Sequence, residues 1–299
     1  MLRPLALCAE RRQPALSSRP LNDECATRVS VVVPLRNMAD TIGACLASIR
    51  SQTRPAAEII VVDDGSTDGG ASLPSVVADS RVRRLRLEGR GAGAARNAGA
   101  RQAVSDWVAF LDADDEWKET FLEEACRAAR RFPEAIAVFS DLDIEGPHPR
   151  IEREASREPR VLDDYFAFSM ARRGLGMHAS CLLARRASLL ELGGFLEGVT
   201  TGEDQALWAR LACAGPVVFI PEALAVHRYS QATRGLGEVF PRHALALLDR
   251  ARSGGIPPAL VPSARSFANR ALLDHAIELR TQLRMQRVEV FADGERVPD

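Results

Sequence analysis

Trp107-Val108-Ala109-Phe110-Leu111-Asp112-Ala113-Asp114-Asp115-Glu116-Trp117 is an apolar run that breaks off into four carboxylates. Its first half is short, aromatic-rich and bounded by polar residues, which predicts a buried strand. The acids then stand where a strand leaves a sheet. In open α/β sheets, ligands bind at the carboxyl ends of strands. Carboxylates held there beside a phosphate suit Mg²⁺ or Mn²⁺. A second reading is an acidic turn that opens a helix, because Asp and Glu favour helix N-termini. The rest of the chain decides between the two.

The 299 residues carry 39 Lys+Arg against 40 Asp+Glu, with 46% hydrophobic and 26% charged residues. That length allows one large domain or two small ones with a sizeable core. A net charge of -1 gives no general pull towards nucleic acid, and no nucleic-acid partner is expected. The six cysteines form no CxxC pair and several lie in apolar patterns. They read as reduced, buried thiols of a cytoplasmic protein, not as a disulfide or zinc framework. No stretch approaches the roughly 18–20 apolar residues that span a bilayer. Leu5-Ala6-Leu7-Cys8 is too short to be the apolar core of a signal peptide, normally about 7–15 residues. Residues 1–28, rich in Arg, Pro and Ser, are expected to form a poorly ordered leader.

Order is expected from Val29. Val29-Ser30-Val31-Val32-Val33 reads as a central buried strand that Pro34 ends. Ile42, Cys45, Leu46 and Ile49 repeat with helical spacing, and Glu58-Ile59-Ile60-Val61-Val62 is a second buried strand. Strand, helix, strand predicts a right-handed crossover and a parallel sheet. Residues 82–87 read as a more exposed strand, 94–103 and 121–131 as helices, 135–140 as a strand and 146–159 as a surface loop. Further on, 165–170 are expected to be helical, 178–184 a strand, 187–192 a helix stopped by Gly193-Gly194, and 205–213 an amphipathic helix. Residues 216–220 and 223–226 are strand-like. From 240 the pattern is helical, with a break at 254–262. Val288-Glu289-Val290-Phe291 could pair with Glu295-Arg296-Val297 across an Asp293-Gly294 turn.

Three acidic clusters end or follow strands: Asp63-Asp64, the Asp112-to-Glu116 group, and Glu203-Asp204. Close carboxylates repel unless positive charge lies between them, so three such clusters point to a cation and phosphate site.

Five motifs then occur in order: Val31-Val32-Val33-Pro34-Leu35-Arg36-Asn37; Ile60-Val61-Val62-Asp63-Asp64-Gly65-Ser66-Thr67-Asp68; Gly93-Ala94-Ala95-Arg96-Asn97-Ala98-Gly99; Phe110-Leu111-Asp112-Ala113-Asp114-Asp115; and Gly202-Glu203-Asp204-Gln205-Ala206-Leu207-Trp208. Together they resemble the inverting, metal-dependent glycosyltransferases of family 2, which have the GT-A fold. The resemblance covers residues 29–233. It implies a Rossmann-like α/β domain with a mostly parallel central sheet flanked by helices. It also implies a nucleotide-diphospho-sugar donor and Mg²⁺ or Mn²⁺. Residues 234–299 are left as a mainly helical C-terminal appendage.

By that resemblance, Pro34, Leu35 and Asn37 meet the nucleotide base through the loop backbone. Asp63 or Asp64 accepts hydrogen bonds from the base, while the other caps the turn at Gly65. Arg96 is a planar donor for base carbonyls or phosphate; without its motif, a surface helix arginine explains it equally. Gly93 and Gly99 allow close backbone approach. Asp112-Ala113-Asp114 looks like the family's DxD motif: Asp114 binds the metal, and Asp112 binds the ribose, or the metal through water. His227 is a further metal- or phosphate-contacting residue. Asp115 is expected to serve the turn and start the next helix.

Asp204 looks like the catalytic base, with Glu203 orienting it or touching the acceptor. Capping of the helix that follows is the plain alternative for both. His178 and Trp208 are placed on the acceptor side, although helical spacing also turns Trp208 inward with Leu207 and Leu211. A structural or surface role is the alternative for both histidines. Arg228 and Arg234 are candidates for the diphosphate on charge grounds.

Two departures matter. Gln205-Ala206-Leu207-Trp208-Ala209-Arg210 does not match the QxxRW motif of processive members, so a single-sugar transfer is expected. Arg36 stands where an aromatic residue often precedes the Asn, which changes base stacking. The acceptor is a glycan, a lipid-linked saccharide or a small molecule. A peripheral contact at the inner face of the membrane is compatible with the C-terminal region, as is ordinary helix packing. The rivals are a nucleotidyltransferase, which needs a Gly-rich basic loop after the first strand; a phospho-receiver domain, which is shorter; and a non-catalytic nucleotide-sugar-binding relative, against which Asp112, Asp114 and Asp204 argue.

Overall fold

The computed structural model describes residues 27–77, 79–146, 153–172, 177–198, 203–228 and 240–272. Residues 1–26 of the expected 1–28 leader, the suggested hairpin at 288–297 and Arg234 lie outside them, as does most of the surface loop's middle. Nine strands form one sheet. They are β1 (Val29–Leu35), β2 (Glu58–Asp64), β3 (Val82–Leu87), β4 (Trp107–Phe110), β5 (Glu116–Trp117), β6 (Ala137–Glu145), β7 (Arg160–Val161), β8 (Leu182–Arg185) and β9 (Val217–Arg228). Among the described residues the helices include α1 (Ile42–Arg50), α2 (Pro74–Val77), α3 (Ala92–Gln102), α4 (Phe121–Arg131), α5 (Tyr165–Ala171), α6 (Arg186–Glu191), α7 (Glu203–Ala214) and α8 (Phe240–Arg252), and residues 261–272 are helical as well.

The strand order is β3-β2-β1-β4-β8-β6-β9-β5, with β7 also on β9. The parallel expectation holds for the half from β3 to β4. The other half is mixed, because β8 runs antiparallel to both β4 and β6. β1 is buried along its length except at the half-buried Pro34, as a central strand with helices on both faces should be. Val31, Val33 and Leu35 pack under α1 and α4, while Val32 faces the cluster under α3. β3 is the sheet edge, and its exposed Arg83, Arg84 and Arg86 suit an edge that must not pair with another chain. In α4, Glu123 and Glu124 lie in the first turn and Arg130 and Arg131 in the last, complementing the helix dipole.

Several details differ from expectation. Pro34 does not end β1, which continues to Leu35. Val32 is the last β1 residue paired with β4, and Pro34 faces the same side two residues on, so its missing N–H costs no ladder bond. The stretch at 178–184 is not one strand but a 3₁₀ turn (Ala179–Cys181) followed by β8. Residues 217–228 form one strand, with register shifts against β6 around Asp141 that absorb Pro221. Asp115 does not start a helix: β5 intervenes, and the next helix begins at Phe121.

α3 lies unusually close to the sheet. A Cβ at Gly99 would stand 2.3 Å from Val32 Cγ1, a β-branched side chain locked in the core. Gly99→Ala is therefore expected to destabilise the fold by about 1–3 kcal/mol through overpacking. A shift in the urea midpoint at constant slope checks this; an unchanged midpoint would mean that α3 slides freely. Where it is described, the C-terminal segment packs onto the sheet domain. Ala244, Leu247, Ala251, Ile256, Ala264, Ala268 and Ala271 join the buried cluster that contains Val32 and Phe110.

Candidate active site

β4 ends at Phe110, and the chain turns at once through the acids, with Asp115 N–H donating to the Asp112 carbonyl at 3.0 Å. The turn lies beside the C-terminal end of β1, whose Val32 carbonyl accepts from Leu111 N–H. Arg96, on α3, reaches this turn. Its Nη2 donates to Asp112 Oδ1 at 2.6 Å, and its Nη1 donates to Glu203 Oε1 at 2.8 Å. Only 4% of Arg96 is exposed, and its guanidinium lies 5.2 Å from the Phe195 ring centre. It is therefore not a surface arginine. Both arms of its fork are taken by carboxylates, and it joins the β4 acids to the first turn of α7, where Asp204 stands next to Glu203.

The acids divide by environment. Burial opposes the charge on Asp112, but Arg96 outweighs it and holds the carboxyl below its usual range. Asp114 has no such partner among the described residues: burial, with Asp112 and Asp115 nearby, pushes it up to about 6. Burial and the neighbouring Glu203 push Asp204 up to about 6 as well; its Oδ1 accepts the Gln205 N–H at 2.6 Å.

Asp115 is fully buried, and its role differs from the expected turn acid. It accepts from Ser180 Oγ at 2.5 Å, and its other oxygen lies 2.8 Å from His227 Nδ1. His178 Nδ1 is 3.4 Å from it, and the two imidazoles lie side by side with centres 4.6 Å apart and planes inclined by 37°. Ligand atoms of Asp115, His178 and His227 all fall within 4.8 Å of one another. Burial works against charge on His227, and Asp115, with Asp114 and Asp112, more than offsets it, so its pKa is raised. Ser180 ties the group together. Its hydroxyl accepts from Asp112 N–H at 3.1 Å and its carbonyl from Trp117 Nε1–H at 2.6 Å.

On the β2 side, both oxygens of Asp64 are taken by backbone N–H groups of Arg90 and Gly91, each at 2.7 Å. Asp63 caps the turn at Ser66 N–H and pairs with Arg86. Asn37 adopts φ 52° and accepts Thr67 N–H at 2.9 Å, which fixes the loop after β1 against the turn after β2. Leu35 is buried, so only its backbone is available to a ligand. Arg36, 56% exposed in its side chain, lies 3.7 Å from Asp64.

The structure thus brings Asp112, Asp114, Arg96, Glu203, His178 and His227 to one end of the sheet. It does not bring Trp208. That side chain is 1% exposed and packs edge-on against Phe139 at 4.8 Å and Phe195 at 5.8 Å, so it is core, not acceptor surface. Arg228 pairs with Glu116 and Glu145. The sequence reading missed the bridging role of Ser180, because a lone Ser in an irregular turn carries no spacing signal.

The profile of glycosyl transferase family 2 matches residues 30–193. The chain belongs to this family. It is 41% identical over 119 residues to the uncharacterized glycosyltransferase YibD of Escherichia coli, covering 39% of this chain and 32% of that protein. It is 34% identical over 206 residues to the succinoglycan biosynthesis protein ExoO of Rhizobium meliloti, covering 65% and 59% respectively. The chain thus matches less than two thirds of the length of either curated relative. Among solved structures, residues 1–349 of S. aureus TarS in complex with UDP-GlcNAc superpose with a TM-score of 0.61 at 20% identity, covering 74% of this chain and 67% of that one. At that identity the likeness speaks to the fold, which is the GT-A-type α/β arrangement. The family profile spans β1 to the end of α6 and so contains the acids of β2 and β4, whereas Glu203 and Asp204 fall beyond it. Among the described residues, no helix is long and apolar enough to cross a membrane.

Proposed function

We propose that this chain transfers a single sugar, with inversion, from a nucleotide-diphospho-sugar to a hydroxyl of a glycan, a lipid-linked saccharide or a small molecule. The observation that carries the reading is the Arg96 bridge. One buried guanidinium fixes Asp112 on the donor side and Glu203, neighbour of Asp204, on the other. The UDP-GlcNAc held by the TarS structure supports a sugar nucleotide as donor.

In this reading Asp204 is the general base. It takes the proton of the acceptor hydroxyl while that oxygen attacks the anomeric carbon from the face opposite the diphosphate. The bond from the anomeric carbon to the diphosphate oxygen breaks, and the nucleoside diphosphate leaves with that electron pair. Glu203, held by Arg96, keeps the first turn of α7 facing the donor. Asp63, Asp64 and the loop of Pro34, Leu35 and Asn37 receive the nucleotide.

The donor set fits a divalent cation, because Asp114, a carboxylate in a crowded acidic turn, forms no ion pair among the described residues, and burial, with Asp112 and Asp115 nearby, raises its pKa. Asp114 and Asp112 would hold it, with His227 as the nitrogen donor; carboxylate with imidazole suits Mn²⁺ better than Mg²⁺. When bound, the ion would neutralise charge that develops on the departing diphosphate.

The test is nucleotide release from UDP-, GDP- and dTDP-sugars with Mn²⁺ or Mg²⁺, with Asp114→Ala as control. Absence of binding and release with every donor and ion would overturn the donor-site assignment. A second readout needs no turnover. Mn²⁺ at 100 times its Kd is expected to stabilise the folded protein by about 2.7 kcal/mol, visible as a rise in Tm. Asp114→Ala should abolish that rise; an equal rise in the variant would place the ion elsewhere.

A further inference from the structure

Glu197 lies outside the residues assigned above, in the described turn after α6 (192–198). Its surroundings are specific. Arg90 Nη2 donates to Glu197 Oε2 at 2.6 Å, and Asn97 Nδ2 donates to Oε1 at 3.1 Å. Arg101, one turn beyond Asn97 on α3, adds a third contact at 3.5 Å. Asn97 also clamps the neighbouring backbone, accepting from Phe195 N–H at 2.8 Å and donating to its carbonyl at 2.8 Å. The turn is pressed onto α3 so closely that a Cβ at Gly93 would stand 2.0 Å from the Leu196 carbonyl oxygen.

Arg90 belongs to the opposite side of the site. Its own backbone N–H donates to Asp64, at the end of β2 where the nucleotide is read. One residue therefore holds an acid of the nucleotide side through its backbone and, through its side chain, an acid of the segment after α6, to which α7 is tied by Arg210 at the Leu192 and Gly194 carbonyls. Glu203, at the start of α7, is bonded to the same helix α3 through Arg96. The Arg90 side chain is 56% exposed and that of Glu197 32%. An ion pair that open contributes little to stability, typically about 0.2–1 kcal/mol. Its position is better explained by geometry than by folding energy.

We propose that Glu197, strapped to Arg90, is a positioning residue that sets the base Asp204 in register with the nucleotide seated at Asp64. This rests on the donor and base assignments above. The strap acts on the alignment of the attacking oxygen with the anomeric carbon, where displacements of about 1 Å cost on the order of 10²-fold in rate. It does not act on nucleotide affinity, because the backbone bonds to Asp64 survive its loss.

The test is a double-mutant cycle with Arg90→Met and Glu197→Gln in the full chain, reading sugar-nucleotide hydrolysis and transfer across the same donor panel in Mn²⁺. Each single variant is expected to lower turnover at saturating donor by about tenfold, the double variant no further, and the Kd of the matching nucleoside diphosphate by less than about twofold. Unchanged turnover, effects that multiply to about 100-fold in the double variant, or a loss that tracks Kd would overturn the strap. If Glu197→Gln does not fold, the split between turnover and Kd in Arg90→Met, an exposed site, decides alone. A wild type that neither binds nor cleaves any donor would instead remove the function on which the strap rests.

Discussion

Asp204→Asn is expected to lower turnover by about 10²–10⁴-fold, the usual contribution of a positioned general base, with nucleotide affinity unchanged. The amide keeps the size of the side chain and an acceptor oxygen for the Gln205 N–H, but it takes up no proton. The wild type carries an internal check. Burial and Glu203 hold Asp204 at about 6, and a base works deprotonated, so the rate should rise with pH and level off above that value. The variant should lack that limb. The stability sign is opposite. A carboxyl whose folded pKa is raised stabilises most at low pH and loses that contribution as pH rises towards 6. At pH 7 the variant, with no charge to bury, should therefore be no less stable than wild type. A variant that turns over like wild type, or that loses activity only because it unfolds, would remove Asp204 from the mechanism.

Arg96→Met should be the most damaging single change to the fold around the site. It leaves Asp112 and Glu203, both largely buried, without their shared cation. Removing one partner of a buried ion pair costs about 3–5 kcal/mol, because the remaining charge stays desolvated. A fall in the urea midpoint measures it. Turnover should fall too, since donor and base sides lose their common anchor. Arg96→Lys should recover little of either effect: a single ammonium cannot fork between two carboxylates. A Lys variant equal to wild type would show that charge alone matters, not the planar fork.

Much of this site could be read from residue order. The run from Trp107 to Phe110 is apolar, aromatic and short, and it forms β4. Phe121–Arg131 was legible to the residue because its apolar spacing and end charges agree. Gly93 and Gly99 marked the close approach of α3. Other features were not legible for physical reasons. Periodicity reports which face is apolar, not which strand lies next door, so the antiparallel β8 inside the sheet left no trace. Trp208 sat in a functional motif and also on an inward helical face, and only packing between Phe139 and Phe195 decides that it is core.

By itself, the sequence determined the family, the α/β fold, and which acids stand at strand ends, because burial pattern and strand-end chemistry are local properties of the chain. The tertiary structure alone decided how those acids are divided. Asp112 is neutralised by Arg96 from α3, Asp114 forms no ion pair among the described residues, and Asp115 is turned inward to Ser180 and the two histidines. These pairings join residues 16 to 112 positions apart. Charge compensation depends on distance in space, and the order of residues along the chain does not fix it.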